Sequence, residues 1–224
     1  MIVVRLSRTG HLALAVGAVA LVVVGVCLRP YIVSESERPE LALTALEIGF
    51  IQDMGSHHEQ ALFMVDRLDV DVAPVVWRLG RQIDSAQRSE LGMLRGWLCL
   101  LNVPMVNTTP MSWMTSQGST NSTPHRHNSV TAQATGGATM PGMATWADLN
   151  ALARSRGAEA EVMFLRLMLR HHQGGVAMAQ DFTEQHRSGP VYQAARAMIQ
   201  DQGQEIGLLS LLLEQRNAEP MPYP

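Results

Sequence analysis

The sequence of 224 residues contains no lysine: its 17 basic side chains are all arginine, set against 20 acids for a formal charge of −3. A balance so near neutrality excludes a strongly basic nucleic-acid binder, so no nucleic-acid partner is expected. Cysteine is almost as scarce. Cys27 and Cys99 cannot build a disulfide framework or a cysteine-rich zinc site. Aromatics make up only 5% of the chain, so a core must be filled by Leu, Val, Ala and Met, which favours helices over a β-sandwich. An apolar fraction of 46% excludes a wholly disordered chain. Gly-x-Ser-x-Gly and phosphate-loop motifs are absent, and Cys99 falls in an apolar helical run; no catalytic motif is found. What the chain has in excess is Met, with 14, and His, with 8.

Leu12 to Leu28 is an uninterrupted run of 17 residues without a charged side chain. As a helix it would reach roughly 26 Å, near the thickness of a bilayer's hydrocarbon core. Arg5 and Arg8 precede it, whereas Glu35, Glu37 and Glu40 follow Arg29. That asymmetry predicts a transmembrane anchor over residues 12–28 with a cytoplasmic N-terminus, dividing the chain at 30. A cleaved signal peptide or a lipoprotein site at Cys27 is the rival reading. Residues 31–224 hold 14 arginines and all 20 acids and are expected to be extracytoplasmic, a periplasmic-side domain on a single-pass anchor in the cell membrane.

Two segments of the remainder match each other. Phe50, Met54, His57, His58 and Met64 recur as Phe164, Met168, His171, His172 and Met178 at a constant offset of 114, which also pairs Glu47 with Glu161. Arg81, Gln87 and Glu90 recur as Arg196, Gln202 and Glu205 at an offset of 115. Each half therefore reads as a histidine-bearing helix followed by a partner helix. Helices are expected from Pro39 to about Leu68, Pro74 to about Leu101, Ala158 to His186 and Pro190 to Arg216. A short helix, capped by Thr145 and Asp148 and stopped by Gly157, precedes the second pair. The expected architecture is all-α: a four-helix bundle of two repeated hairpins, 39–101 and 145–216, joined by a flexible linker over 102–144.

At 100° per residue, the apolar face of the first helix is the face that carries its histidines. Met54 lies three and four residues before His57 and His58, so the three side chains are neighbours. The second half repeats this, with Gly174 and Gly175 removing bulk beside its histidines. Imidazole with thioether is the donor set of Cu(I), Ag(I) and Cu(II), not of Mg or Ca. His57, His58, His171 and His172, with Met54, Met64, Met168 and Met178, are thus the candidate metal ligands. Glu47 and Glu161 are expected to orient the imidazoles from outside. The competing explanation is a polar core in which the histidines bond to glutamates and the methionines only pack.

The linker adds Met111, Met114, His125, His127, Met140 and Met143, in a Ser/Thr/Gly-rich setting with little core to fill. These are candidate ligands for metal capture, or else an adaptable contact surface. A di-iron oxidoreductase would require Glu-x-x-His motifs, and none is present.

The repeated Met-x-x-His-His pattern and the run Met140-Pro141-Gly142-Met143 resemble the bacterial family called domain of unknown function 305, which includes copper-binding CopM-like proteins. The resemblance spans residues 40 to 216. It implies a ferritin-like helical bundle outside the cytoplasm and, for some members, copper binding, here at Met54, His57, His58, Met64, Met168, His171, His172 and Met178, with Met140 and Met143. The sequence departs from that pattern at Glu47 and Glu161, where Asp is usual, at Leu167, which replaces the counterpart of Asp53, and at Gly174-Gly175, the counterparts of Gln60-Ala61. The expectation is a membrane-anchored protein that binds copper as a buffer, chaperone or tolerance factor. The alternative is a metal-free accessory subunit of a membrane or respiratory complex.

Overall fold

The computed structural model describes residues 17–28, 42–114 and 140–223. The chain divides into two compact units, Met1–Leu41 and Ala42–Pro224. In the first unit the described part is one helix, α1, over residues 17–28. Among the described residues, no helix is long and apolar enough to cross a membrane. The expected anchor over 12–28 is therefore corrected, and with it the single-pass topology, the membrane as a partner and the accessory subunit docked through that anchor. Hydropathy alone measured the run.

The second unit contains α2 (Ala45–Val65), α3 (Pro74–Leu100), α4 (Trp146–Arg154), α5 (Gly157–Gln185) and α6 (Gly189–Glu214), and no strand among its described residues. The all-α expectation holds. Pro39 does not open α2, since residues 42–44 are not helical. A capping box does: the Thr44 hydroxyl accepts the Glu47 N–H, and the Glu47 carboxylate accepts the Thr44 N–H at 2.8 Å. A second box, Thr145 with Asp148, starts α4 as expected. Prolines occupy the first turns of α3 and α6, where a missing N–H costs nothing.

Helix α2 packs on α3 and α5 packs on α6; the two hairpins meet through α2 and α5, and α4 lies on α5. The core falls into two apolar clusters. One joins Ala61, Met64 and Val65 of α2 to Val76 and Ile83 of α3, Leu152 of α4, Phe164 and Met168 of α5, and Leu209 and Leu213 of α6. The other joins Phe50, Ile51 and Met54 to Leu94 and Leu98, Met178 and Phe182, and Val191 and Met198. The start of α2 thus shares a cluster with the end of α5, so the two repeats run antiparallel. Each methionine meets the opposite member of the other repeat: Met54 is grouped with Met178, and Met64 with Met168.

The linker is partly built into this core. Met111 and Trp113 are buried in the second cluster, and Met114 and Met140 pack against it. The reason is Asp53, itself buried. Its Oδ2 accepts the Trp113 indole N–H and the Met111 backbone N–H, both at 2.7 Å, and the Asn107 amide at 3.0 Å. Trp113 lies over Gly49, where a Cβ would press on the indole ring. Replacing Asp53 by Ala leaves the Trp113 and Met111 donors buried without an acceptor, at about 1–3 kcal/mol each. Urea unfolding followed by circular dichroism should show D53A destabilised by about 2–5 kcal/mol, whereas a loss under about 0.5 kcal/mol would mean that the loop is held elsewhere.

Candidate metal centre

Between the two apolar clusters lies a polar layer. His57 and His58 of α2 and His171 and His172 of α5 are all fully buried. The antiparallel crossing brings the His57 and His171 rings face to face, with centroids 3.8 Å apart and planes 31° apart, and sets His172 6.1 Å from His171.

Every imidazole is fixed through Nε2. That of His57 lies 3.1 Å from the Pro141 carbonyl, and that of His171 lies 3.0 Å from the carbonyl of His57. A carbonyl can only accept, so each of these Nε2 atoms carries the proton and donates it. His58 Nε2 bonds the Glu90 carboxylate at 2.6 Å and His172 Nε2 bonds the Glu205 carboxylate at 2.7 Å. A neutral ring protonated at Nε2 presents a bare lone pair on Nδ1. All four Nδ1 atoms are buried and have no hydrogen-bond partner. Leaving a buried polar atom unpaired costs about 1–3 kcal/mol.

Burial also sets the protonation state. Desolvation first, then the neighbouring His58, lowers the pKa of His57 from 6.5 to about 3, against a smaller opposing effect of the bond to Pro141. His171 is held well below its usual value by desolvation and then by His57, His172 and His58. Both rings therefore stay neutral, which is the form that donates to a metal.

The glutamates expected to orient the imidazoles do not touch them. Glu47 is occupied with the Thr44 cap and lies 3.3 Å from His186. Glu161 accepts from the Ala73 N–H and from Arg216. The orienting positions belong instead to Glu90 and Glu205, on the partner helices α3 and α6. Their signal was in the sequence as repeat mates, each 32 or 33 residues after the histidine it holds. Among the described residues, no three His, Cys, Asp or Glu side chains are gathered so as to hold a metal ion. The carboxylates are engaged at Nε2, so the free donors at this level are the Nδ1 atoms, with thioethers on either side. Met54, Met64, Met168 and Met178 are all fully buried, two in each flanking cluster.

Residues 47–213 match the family described as Domain of unknown function (DUF305). The chain belongs to the DUF305 family. Solved structures share its fold, among them the following. A DUF305 protein from Streptomyces coelicolor is 34% identical, with 80% of this chain and 96% of that chain covered and a TM-score of 0.65. A DUF305 fragment from Deinococcus radiodurans is 26% identical, covering 77% and 97%, with a TM-score of 0.59. CopM in its Cu(I)-bound form is 20% identical, covering 75% and 96%, with a TM-score of 0.53, a likeness of fold alone. No curated protein matches the chain.

The structure gives physical reasons for two of the differences between the repeats, at Gly174 and Leu167. The turn Met140–Ala144 bridges the two histidine helices. Its Gly142 has φ +74° and lies so close to α5 that a Cβ would overlap the Arg170 carbonyl; a Cβ on Gly174 would overlap the Pro141 carbonyl. Glycine at 174 is what lets Pro141 reach His57. On the α2 side, Gln60, the repeat mate of Gly174, clasps the same turn, donating to the Ala144 carbonyl at 3.0 Å and accepting its N–H at 2.6 Å. Leu167 sits in an apolar cluster with no loop to hold, unlike its mate Asp53. Met140 and Met143 are half-buried in this turn, and His125 and His127 lie outside the described residues.

Since the folded pKa values of His57 and His171 lie below 6.5, the unfolded chain binds more protons in the interval between. Stability of the metal-free DUF305 protein should therefore fall as pH drops below about 6.5, by about 1.4 kcal/mol per pH unit for each histidine. Denaturant unfolding at pH 7, 6 and 5 should show this slope, shallower in H57Q/H171Q; a flat profile in the parent would show that the two rings are not held neutral by burial.

Proposed function

We propose that this DUF305 protein binds copper in the histidine layer, acting as a buffer, chaperone or tolerance factor. The observation that supports this most is the set of four buried Nδ1 atoms without a partner, each ring already fixed through Nε2. A polar core built for stability alone would use both nitrogens of a buried imidazole. Rings oriented through Nε2 by a carboxylate or carbonyl, with the other nitrogen free, have the usual arrangement of metal-ligating histidines. The ligands in this reading are His57, His58, His171 and His172, with the thioethers of Met54, Met64, Met168 and Met178 above and below. Soft sulfur beside imidazole selects copper over hard cations. Glu90 and Glu205 orient His58 and His172. The similarity to CopM, solved with Cu(I) and with Cu(II), supports copper as the ion. Of the linker residues, Met140 and Met143 suit a supplementary role at the turn beside His57. Met111 and Met114 pack with the core, and His125 and His127 would add imidazoles from the same linker.

The test is competitive titration of the full-length, metal-free protein with Cu(I) against a chromophoric chelator. The wild type should bind tighter than about micromolar, and replacing all four histidines by alanine should weaken binding on the order of 100-fold or more. Because four core substitutions strain the fold, M54L/M178L serves alongside; leucine conserves volume and costs little stability, typically under about 1.5 kcal/mol. It should bind Cu(I) measurably more weakly. No binding by the wild type, or equal binding by both variants, would remove the histidine layer as the site.

A further inference from the structure

Two glutamines in the polar layer have no part in holding the histidines. Gln87 and Gln202 are 1% and 2% exposed. The amide oxygen of each lacks a hydrogen-bond partner, and so does the amide nitrogen of Gln202. They are repeat mates, and each stands three residues before the glutamate that fixes a histidine: Gln87 before Glu90 on α3, Gln202 before Glu205 on α6. Residues three apart share a helix face, so each glutamine lies one turn from the glutamate that fixes a histidine. For Gln202 the placement is direct. A Cβ at Gly175 of α5 would overlap its amide, and Gly175 follows His172 by three residues and His171 by four. Glycine there makes room for the amide. An unpaired buried polar atom costs about 1–3 kcal/mol, and here two repeat-related amide oxygens join four imidazole Nδ1 atoms without a partner.

The layer therefore holds nitrogen and oxygen donors, while the sulfur donors lie in the apolar clusters on either side. We propose that Gln87 and Gln202 supply the oxygen donors of this layer and so set its preference for oxidation state, favouring Cu(II). A carbonyl oxygen is a hard donor. With imidazoles it forms the N,O set taken by Cu(II), whereas thioethers with imidazoles suit Cu(I). One buried layer thus offers two overlapping donor sets, and the glutamines belong only to the one for the oxidised ion. This inference rests on the copper reading above and adds to it the residues that discriminate between the two ions.

The experiment measures Cu(II) and Cu(I) affinities separately, by competition, on full-length wild type, Q87M/Q202M and Q87E/Q202E, with circular dichroism to establish folding. In the methionine variant, which removes the oxygens at similar length, Cu(II) affinity should fall about tenfold or more while Cu(I) affinity holds or rises. The Cu(II) electron paramagnetic resonance parameters should shift toward fewer oxygen donors. In the glutamate variant the harder, anionic oxygens should tighten Cu(II) relative to Cu(I), so the proposal remains testable if the methionine variant fails to fold. A parallel change in both affinities, or no change in either variant, overturns the role of the glutamines and leaves copper binding standing. A wild type that binds neither ion overturns the copper reading and this inference with it.

Discussion

Four imidazoles are buried at the crossing of α2 and α5, and the arrangement of the second unit follows from what they require. An imidazole taken out of water must find partners for its polar atoms or lose free energy. The chain satisfies one nitrogen of each ring with considerable investment. It places a glutamate on each partner helix, uses the carbonyl of His57 itself, and brings a Pro-Gly turn across two helices to reach the last ring. It leaves the other nitrogen of every ring unmet. The two apolar clusters keep water from the layer, and that exclusion holds His57 and His171 neutral.

The repeat gives the layer its approximate symmetry, and the departures from symmetry are local and mechanical. His171 takes the backbone of the opposite helix as its acceptor, but His57 takes the turn at Pro141. The difference traces to one position: Gln60 in the first repeat is Gly174 in the second. The glutamine grips the turn from one helix and the glycine admits it on the other. In the same way Asp53 anchors a loop in the first half, while Leu167 fills the core in the second.

Much of this was legible in the sequence, for reasons that also explain what was not. The constant offset of the paired His and Met residues placed the two histidine helices and their shared apolar face, and the family resemblance pointed the same way. Helical periodicity describes one helix at a time, so it favoured Glu47 and Glu161, which share a stripe with the histidines along the chain. Which carboxylate meets a ring from across the bundle depends on the packing of α3 on α2 and of α6 on α5. Glu90 and Glu205 were visible only as a second pair of repeats. Composition misjudged the linker near 102–114, because one buried carboxylate can order a polar loop regardless of its Ser and Thr content. For the N-terminal run, hydropathy alone suggested a spanning helix, and among the described residues no helix is long and apolar enough to cross a membrane.

The central claim is that the four Nδ1 atoms are the free donors of the site. Nitrogen-15 NMR of the histidine rings in the metal-free protein, before and after one equivalent of diamagnetic Cu(I), tests it most directly. The account predicts Nε2-protonated tautomers with bare Nδ1 atoms in the free protein, and Nδ1 resonances of the bundle histidines that shift on copper addition while their Nε2 protons remain. Nδ1 resonances unmoved by copper, or rings protonated at Nδ1 from the outset, would contradict it.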